Sequence, residues 1–181
     1  MISEFNKFAG NKILHWLLMN PNARIYINEL ARETGSSPST VLRYSRIFMD
    51  AGIVTIQKVA NAHLIILNTD HPVVKELKRC TILLLLDEYG IKDIAGNAMS
   101  IALYGSAASG TFSEASDIDI LVAGTEEQVN RGKILEIQEK IRKNIQLTVI
   151  PWYRLEKMKK EKDPFIMSLI CNHILLCGME L

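Results

Sequence analysis

The stretch Ile101–Val122 constrains the fold of this chain more than any other. It opens with an apolar run, Ile101–Tyr104, that suits a buried strand, and a glycine and a serine follow at once. Ten mostly small or polar residues later, Asp117 and Asp119 alternate with isoleucines. Because alternate side chains of a strand share a face, we expect the two carboxylates to lie side by side while the isoleucines enter a core.

The residue types in this stretch are those that bind phosphate and a hard cation. Two adjacent carboxylates repel each other unless a cation lies between them, and oxygen ligands suit Mg²⁺, which completes its shell with phosphate and water. A glycine at a strand end lets backbone approach a bulky anion, and the N–H groups and serine hydroxyl that follow can hold phosphate. The stretch therefore predicts a nucleotide-type site. The alternative is an edge strand whose carboxylates merely face water.

The same residues resemble a known family. Gly105 and Ser106, followed by the segment Ser116–Ile120, are similar to the signature of the minimal nucleotidyltransferases, within the DNA polymerase β-like superfamily. The resemblance covers about the last ninety residues. It implies that Mg²⁺ is bound by the two catalytic carboxylates, Asp117 and Asp119. It also implies that an NTP is bound by Gly105, Ser106 and Ser116.

Two positions depart from the family pattern. The family usually has a basic residue before the glycine that closes the turn, and here Ser109 precedes Gly110. The superfamily also expects a third carboxylate on the next strand, which we predict at Ile145–Ile150, where the polar residues are Gln146 and Thr148. A missing third carboxylate removes a metal ligand and a general base. Two hypotheses follow: a nucleotidyltransferase, or a weakly active or inactive regulator that binds operator DNA and whose pocket binds a nucleotide or nothing.

The first seventy residues have the element order of a winged helix-turn-helix. Apolar residues from Phe5 to Leu17 recur near helical spacing. Ser37 and Pro38 form a strong helix start, since serine caps and proline fits the first turn. The predicted elements are a first helix ending near Asn20, a strand at 25–27, helices at 28–35 and 38–51, and hairpin strands at 53–59 and 63–68.

This order resembles the winged-helix regulators of archaea and bacteria. The resemblance implies that the third helix enters the major groove of DNA. The candidate DNA contacts are Ser37, Ser39, Thr40, Arg43, Arg46 and Lys58. Residues 1–70 carry seven Lys or Arg against five Asp or Glu, a balance of +2. Dimerisation or protein contact is the alternative use of this domain.

The rest of the chain predicts a linker and an α/β unit. We expect a helix from His71 to about Tyr89, a loop over 91–99, and a helix from Thr125 to about Lys143 whose basic residues are solvated. Two short helices at 152–160 and 164–173 and a last strand or helical turn at 174–177 complete it. We thus predict an α/β (α+β) chain: a winged helix-turn-helix at 1–70, a connecting helix and loop at 71–97, and a nucleotidyltransferase-like domain with a mixed sheet and flanking helices at 98–181.

Composition bounds the partners and the compartment. With 48% hydrophobic and 23% charged residues in 181, a packed core is expected, and a net charge of +1 excludes a global field that steers the whole molecule to nucleic acid. Three cysteines are too few for a disulfide framework, which fits a reducing cytoplasm. We expect neither a signal peptide nor a membrane span. The regulator hypothesis expects a homodimer on an operator. A separate partner protein remains a third alternative.

Overall fold

A computed structural model describes residues 1–181, and they form two compact units, Met1–Thr81 and Ile82–Leu181. The first unit has a three-stranded sheet and the second a four-stranded mixed sheet, each with helices. The predicted α+β class is therefore confirmed. No helix combines the length and apolar character that a membrane crossing requires.

The first unit is a helical cluster beside a small antiparallel sheet. Its strands lie in the order β1-β3-β2, with Ile25 opposite Ile65 and Ile56 opposite Ile65 from the other side. The buried core includes Leu17, Leu30 and Val41, which come from three different helices. The elements are α1 (Ile2–Phe5), α2 (Ala9–Met19), β1 (Arg24–Tyr26), α3 (Ile27–Thr34), α4 (Pro38–Asp50), β2 (Val54–Val59) and β3 (Ala62–Leu67).

The turn between α3 and α4 is fixed by its end residues. Gly35 ends α3 in the left-handed conformation at φ 60°, which glycine adopts at little cost. The hydroxyl of Ser37 then accepts a hydrogen bond from the backbone N–H of Thr40 at 3.2 Å and caps α4. The two helices are thus separated by a turn of three residues, 35–37, as in a helix-turn-helix.

The start of the chain differs from the prediction. The expected single helix is interrupted at Asn6–Phe8, which separates α1 from α2. Phe5 and Phe8 are 48% and 68% exposed, so they are not part of the core stripe that continues through Ile13 and Leu17. The spacing along the sequence predicted one continuous apolar stripe. Because the helix breaks between α1 and α2, Phe5 and Phe8 do not face the core with the rest of the stripe.

The second unit is built on a mixed sheet in the order β6-β5-β4-β7. The strand β5 is antiparallel to β4 and parallel to β6, while β7 is antiparallel to β4. The elements are α5 (Pro72–Glu88), within which the division between the units falls, β4 (Ser100–Tyr104), α6 (Gly105–Ser109), β5 (Ile118–Ala123), α7 (Arg131–Ile141), β6 (Ile145–Ile150), α8 (Trp152–Lys160), α9 (Pro164–Cys171) and β7 (Ile174–Gly178), with 3-10 turns at Ile91–Ile94 and Glu126–Gln128.

One face of this sheet carries the candidate site. Ala102, Leu121 and Ile150 on that face pack with Leu155 of α8 and Ile166 of α9. Period-two alternation along the strands puts Tyr104, Asp119 and Gln146 on the same face, two to four residues away from these apolar positions. The two C-terminal helices thus cover the apolar part of the face, and polar side chains continue beyond it.

Three predictions for this unit were wrong in part. The helix expected from Thr125 is a 3-10 turn followed by α7. The helical conformation is interrupted at Asn130, whose side-chain oxygen caps α7 by accepting a hydrogen bond from the N–H of Lys133 at 3.0 Å. The loop expected over 91–99 begins with a 3-10 turn whose residues Ile91 and Ile94 are buried. Lys143, expected on a solvated face, is 9% exposed.

Candidate functional site

The carboxylate of Asp119 lies against the backbone of Gly105. Tyr104 and Asp119 are paired residues of β4 and β5, so the first residue of α6 follows directly beside Asp119. A Cβ atom built on Gly105 would lie 3.1 Å from Asp119 Cγ and closer still to Oδ2. Gly105 also has φ 68°, where other residues are strained. Two independent constraints therefore require glycine here.

The Asp117 and Asp119 side chains interact through their charges. Partial burial, and next the charge of Asp117, raise the pKa of the Asp119 carboxyl above its ordinary value. Asp117 immediately precedes β5, which begins at Ile118. Both aspartates are half-buried. A divalent cation would relieve the repulsion between them, and their oxygen atoms are donors that suit Mg²⁺.

The neighbouring strand contributes an amide where a third carboxylate is expected. Gln146 is the direct partner of Asp119 in the parallel register of β5 and β6. Thr148, the other polar residue of β6 on this face, is hydrogen-bonded to the Tyr104 hydroxyl at 2.8 Å. Burial is the main cause that raises the pKa of the Tyr104 phenol. No cluster of three or more His, Cys, Asp or Glu side chains is arranged to hold a metal. The aspartate pair is therefore the metal-binding candidate.

A buried lysine holds the loop that leads into Asp117. The ammonium group of Lys143 donates hydrogen bonds to the carbonyl oxygens of Ser113 at 2.8 Å, Glu114 at 2.9 Å and Ser116 at 3.3 Å. It also lies 5.2 Å from the ring centroid of Phe112. Desolvation lowers the pKa of Lys143, and the charges of Glu114 and Asp117 oppose that change. Lys143 thus fixes the backbone of the loop before Asp117, and its charge interacts with that of the Asp117 carboxylate.

The predicted phosphate-binding residues have different surroundings. Ser106 is half-buried in the first turn of α6, and its carbonyl accepts the N–H of Thr111 at 2.9 Å. The hydroxyl of Ser116 accepts the N–H of Ser113 at 2.9 Å and so closes the loop on itself. Gly105 lies beside the Asp119 carboxylate, and Ser106 follows it in α6. Ser116 instead bonds to Ser113 within its own loop.

Three of the predicted DNA-contacting residues share one exposed stripe of α4. Ser39, Arg43 and Arg46 recur at spacings of four and three, and all three are exposed. The guanidinium carbon of Arg43 lies 4.9 Å from the centroid of the Tyr44 ring, a cation–π contact that orients the side chain. Ser37 and Thr40 are bonded to each other in the helix cap. The stripe therefore presents two cations and a hydroxyl.

The hairpin tip lies beside the start of this helix. A concavity of about 270 Å³ is lined by Pro38, Ser39 and Leu42 of α4 and by 61–63 of the hairpin. Ala60 makes the tight turn with φ 53°. Lys58 is exposed on β2, opposite His63. The hairpin and the helix stripe thus border one surface, as a wing and a recognition helix do.

Sequence reasoning missed Lys143, the Tyr104–Thr148 pair and Phe165. Lys143 lies between the buried Ile141 and Ile145, but no local pattern predicts the burial of a lysine at this position. The contact of Tyr104 with Thr148 spans a strand, and no local pattern predicts it.

Each of the two domains matches a known protein family. Residues 91–176 match the family described as "Nucleotidyltransferase domain", and residues 12–55 match the family described as "Winged helix-turn-helix DNA-binding". The chain therefore combines an N-terminal winged helix-turn-helix domain with a C-terminal nucleotidyltransferase domain, which confirms the suspected fusion. No curated protein matches the chain.

Proposed function

We propose that the C-terminal domain binds an NTP with Mg²⁺ and transfers its nucleoside monophosphate to an acceptor, in a protein whose winged helix binds DNA. The observation that carries this proposal is the close packing of the Asp119 carboxylate on Gly105, with Asp117 beside it. This arrangement combines a metal-binding pair with backbone that a phosphate can approach.

The residues present fit Mg²⁺. Asp117 and Asp119 supply two carboxylates whose mutual repulsion favours a divalent cation, and Mg²⁺ commonly uses one or two carboxylates with phosphate and water. Bound there, Mg²⁺ would neutralise phosphate charge and polarise the phosphoryl oxygens. Gly105 and Ser106 would hold the phosphates beside it.

The proposed reaction is a displacement at the α-phosphorus. A bond forms between the acceptor nucleophile and the α-phosphorus, and the bond to the oxygen that bridges to the β-phosphate breaks. Pyrophosphate leaves with the electron pair of that bond, and the proton of the acceptor passes to solvent water. Positioning and charge neutralisation supply most of the rate in such reactions. The acceptor class includes a small molecule, a protein side chain and a nucleic-acid end.

Gln146 favours a second candidate function. An amide in the register position beside Asp119 cannot accept the proton of the acceptor at neutral pH. A domain that binds a nucleotide but transfers it weakly or not at all could report nucleotide levels to the winged helix. In this second candidate, the protein is a transcriptional regulator that binds operator DNA as a dimer.

DNA binding is supported by the exposed stripe of α4. Ser39, Arg43 and Arg46 would enter the groove, and Lys58 near the wing would contact phosphate.

The nucleotide site is tested by calorimetric titration of the full chain with each NTP, with and without Mg²⁺. We expect Mg²⁺-dependent binding that is lost in the Asp117→Asn/Asp119→Asn variant and kept in Glu139→Gln, a control on the exposed side of α7. Incubation with α-phosphate-labelled NTP and candidate acceptors then separates the two functions, because only the transferase moves the label onto an acceptor. Absence of NTP binding in the wild type would refute the transferase and the nucleotide sensor, and would leave a DNA-binding regulator.

The winged helix is tested on a mixed-sequence DNA duplex over a series of salt concentrations. Arg43→Ala should weaken binding and reduce the salt slope by about one. Arg142→Ala is the matched control, since this exposed arginine belongs to the other domain. A wild-type protein without salt-sensitive DNA binding would show that the winged helix serves another contact.

A further inference from the structure

A neutral pocket lies next to the proposed phosphate site. Its volume is about 470 Å³, within the range typical of small-molecule pockets. One wall is a single face of α9 and its C-cap, because residues three or four positions apart lie on the same side of a helix. The residues of this wall are Phe165, Ser168, Leu169 and Asn172. The opposite wall is formed by Tyr104, Gly105 and Ser109.

The lining excludes the charged part of a nucleotide. None of the seven lining residues carries a formal charge at neutral pH, so a triphosphate tail would find no counter-charge there. The same lining suits a flat, uncharged ring. Phe165 is 45% exposed, and its ring meets that of Tyr104 edge-to-face with centroids 6.0 Å apart and an interplanar angle of 85°. Such rings stack on any nucleobase.

Polar groups at the end of the α9 face can recognise a base edge. Asn172 and Ser168 are exposed one turn apart, and the only internal bond of the Asn172 amide is a long one, from Nδ2 to the Ser168 carbonyl at 3.4 Å. A side-chain amide offers both a donor and an acceptor, which is the pattern that base edges present.

Gly105 connects this pocket with the aspartate pair. It lines the pocket and is also the residue against which the Asp119 carboxylate packs. A ligand that fills the pocket therefore lies directly beside the proposed phosphate and metal site. We propose that the pocket lined by Tyr104 and Phe165 binds the nucleobase of the NTP, with Asn172 at its edge. This inference rests on the proposed NTP binding.

The test compares nucleotides with inorganic tripolyphosphate, which has the charge but lacks the base. Each is titrated calorimetrically, with Mg²⁺, into the full wild-type chain and into Phe165→Ala and Asn172→Ala. Met167→Ala is the matched control, because Met167 is 40% exposed on α9 and does not line the pocket. We expect at least one NTP to bind about tenfold or more tightly than tripolyphosphate. Phe165→Ala should remove most of that margin and leave tripolyphosphate affinity unchanged, and Asn172→Ala should reduce the difference among the bases.

Two outcomes would overturn the inference in distinguishable ways. If tripolyphosphate binds as tightly as every NTP, and Phe165→Ala changes neither affinity, the phosphate and metal site stands and the base pocket is wrong. If neither tripolyphosphate nor any NTP binds in the presence of Mg²⁺, the proposed function itself fails and the base pocket with it.

Discussion

Asp119 and Gln146 are direct partners across two parallel strands, and their side chains leave the sheet on the same face. The amide of Gln146 thus occupies the register position beside Asp119 at which a carboxylate would add a third oxygen ligand to the proposed metal-binding pair. This relationship suggests that the protein is one substitution away from a three-carboxylate site.

Gln146→Asp should therefore increase Mg²⁺ affinity and, if the domain is a transferase, the rate of pyrophosphate release. Without metal the same variant should be less stable than the wild type, since a third negative charge joins an existing pair. Gln146→Asn is the control that matches aspartate in size without its charge. Thermal unfolding and Mg²⁺ titration of the three proteins make the comparison. Equal Mg²⁺ affinities in all three would place the metal elsewhere.

Gly105→Ala should abolish Mg²⁺-dependent NTP binding while leaving most of the fold intact. The added methyl group meets the Asp119 carboxylate, and the positive φ adds about 1–2 kcal/mol of strain. Gly96→Ala is the control, because a Cβ there has no neighbour within 4 Å. Calorimetry with NTP and Mg²⁺ is the measurement. Wild-type affinity in Gly105→Ala would mean that the Asp119 carboxylate is free to move and does not define the site.

Lys143→Met should destabilise the C-terminal domain by about 2–4 kcal/mol, because it leaves buried carbonyl groups without their donor. Lys140→Met, which removes an exposed lysine in the last turn of α7, three residues earlier, should have little effect. Urea unfolding followed by Trp152 fluorescence in a Trp16→Phe background reports on this domain. If the two variants unfold at the same urea concentration, the buried lysine does not hold the loop.

Acidic pH should destabilise the winged-helix domain, because it protonates His15. Burial lowers the pKa of His15 below its ordinary value of 6.5, and its Nδ1 atom is buried without a hydrogen-bond partner. Below pH 6.5 the folded state therefore binds fewer protons than the unfolded state. The stability that is present above pH 6.5 is lost as the pH falls below 6.5 toward the lowered pKa of the folded state.

His15→Gln should remove this part of the acid sensitivity. Urea unfolding followed by Trp16 fluorescence at about pH 7.5 and about pH 5.5 gives the comparison. A variant that loses as much stability as the wild type between these two conditions would show that other groups cause the loss.

Short-range patterns predicted most of the architecture. The Ser37-Pro38 start located α4 to within a residue, and the alternation from Asp117 to Ile120 located β5 and its facing carboxylates. These features depend on neighbours a few residues apart, so the sequence contains them directly.

The failures depend on contacts that no local pattern contains. Phe5 and Phe8 fit the spacing of a core stripe, but a break in the helix exposes them. Lys143 was assigned to solvent because charged residues usually lie there, yet it is buried among carbonyl groups of a loop some thirty residues earlier. The pocket beside Gly105 depends on where α9 packs, which the sequence of α9 does not state.

The placement of Lys143 also determines the order in which the site can form during folding. Its hydrogen-bond partner Ser113 is 30 positions away in the sequence, and the chain turns toward it only after Arg142 adopts φ 57°. The hydrogen bonds from Lys143 to the loop before Asp117 therefore form only when α7 and the start of β6 fold back against that loop. Parallel pairing of this kind closes a long segment and is slow. A nascent chain that ends before residue 143 would carry Asp119 on β5 but lack the three Lys143 hydrogen bonds, so order in the loop before Asp117 should be among the last properties that the domain acquires.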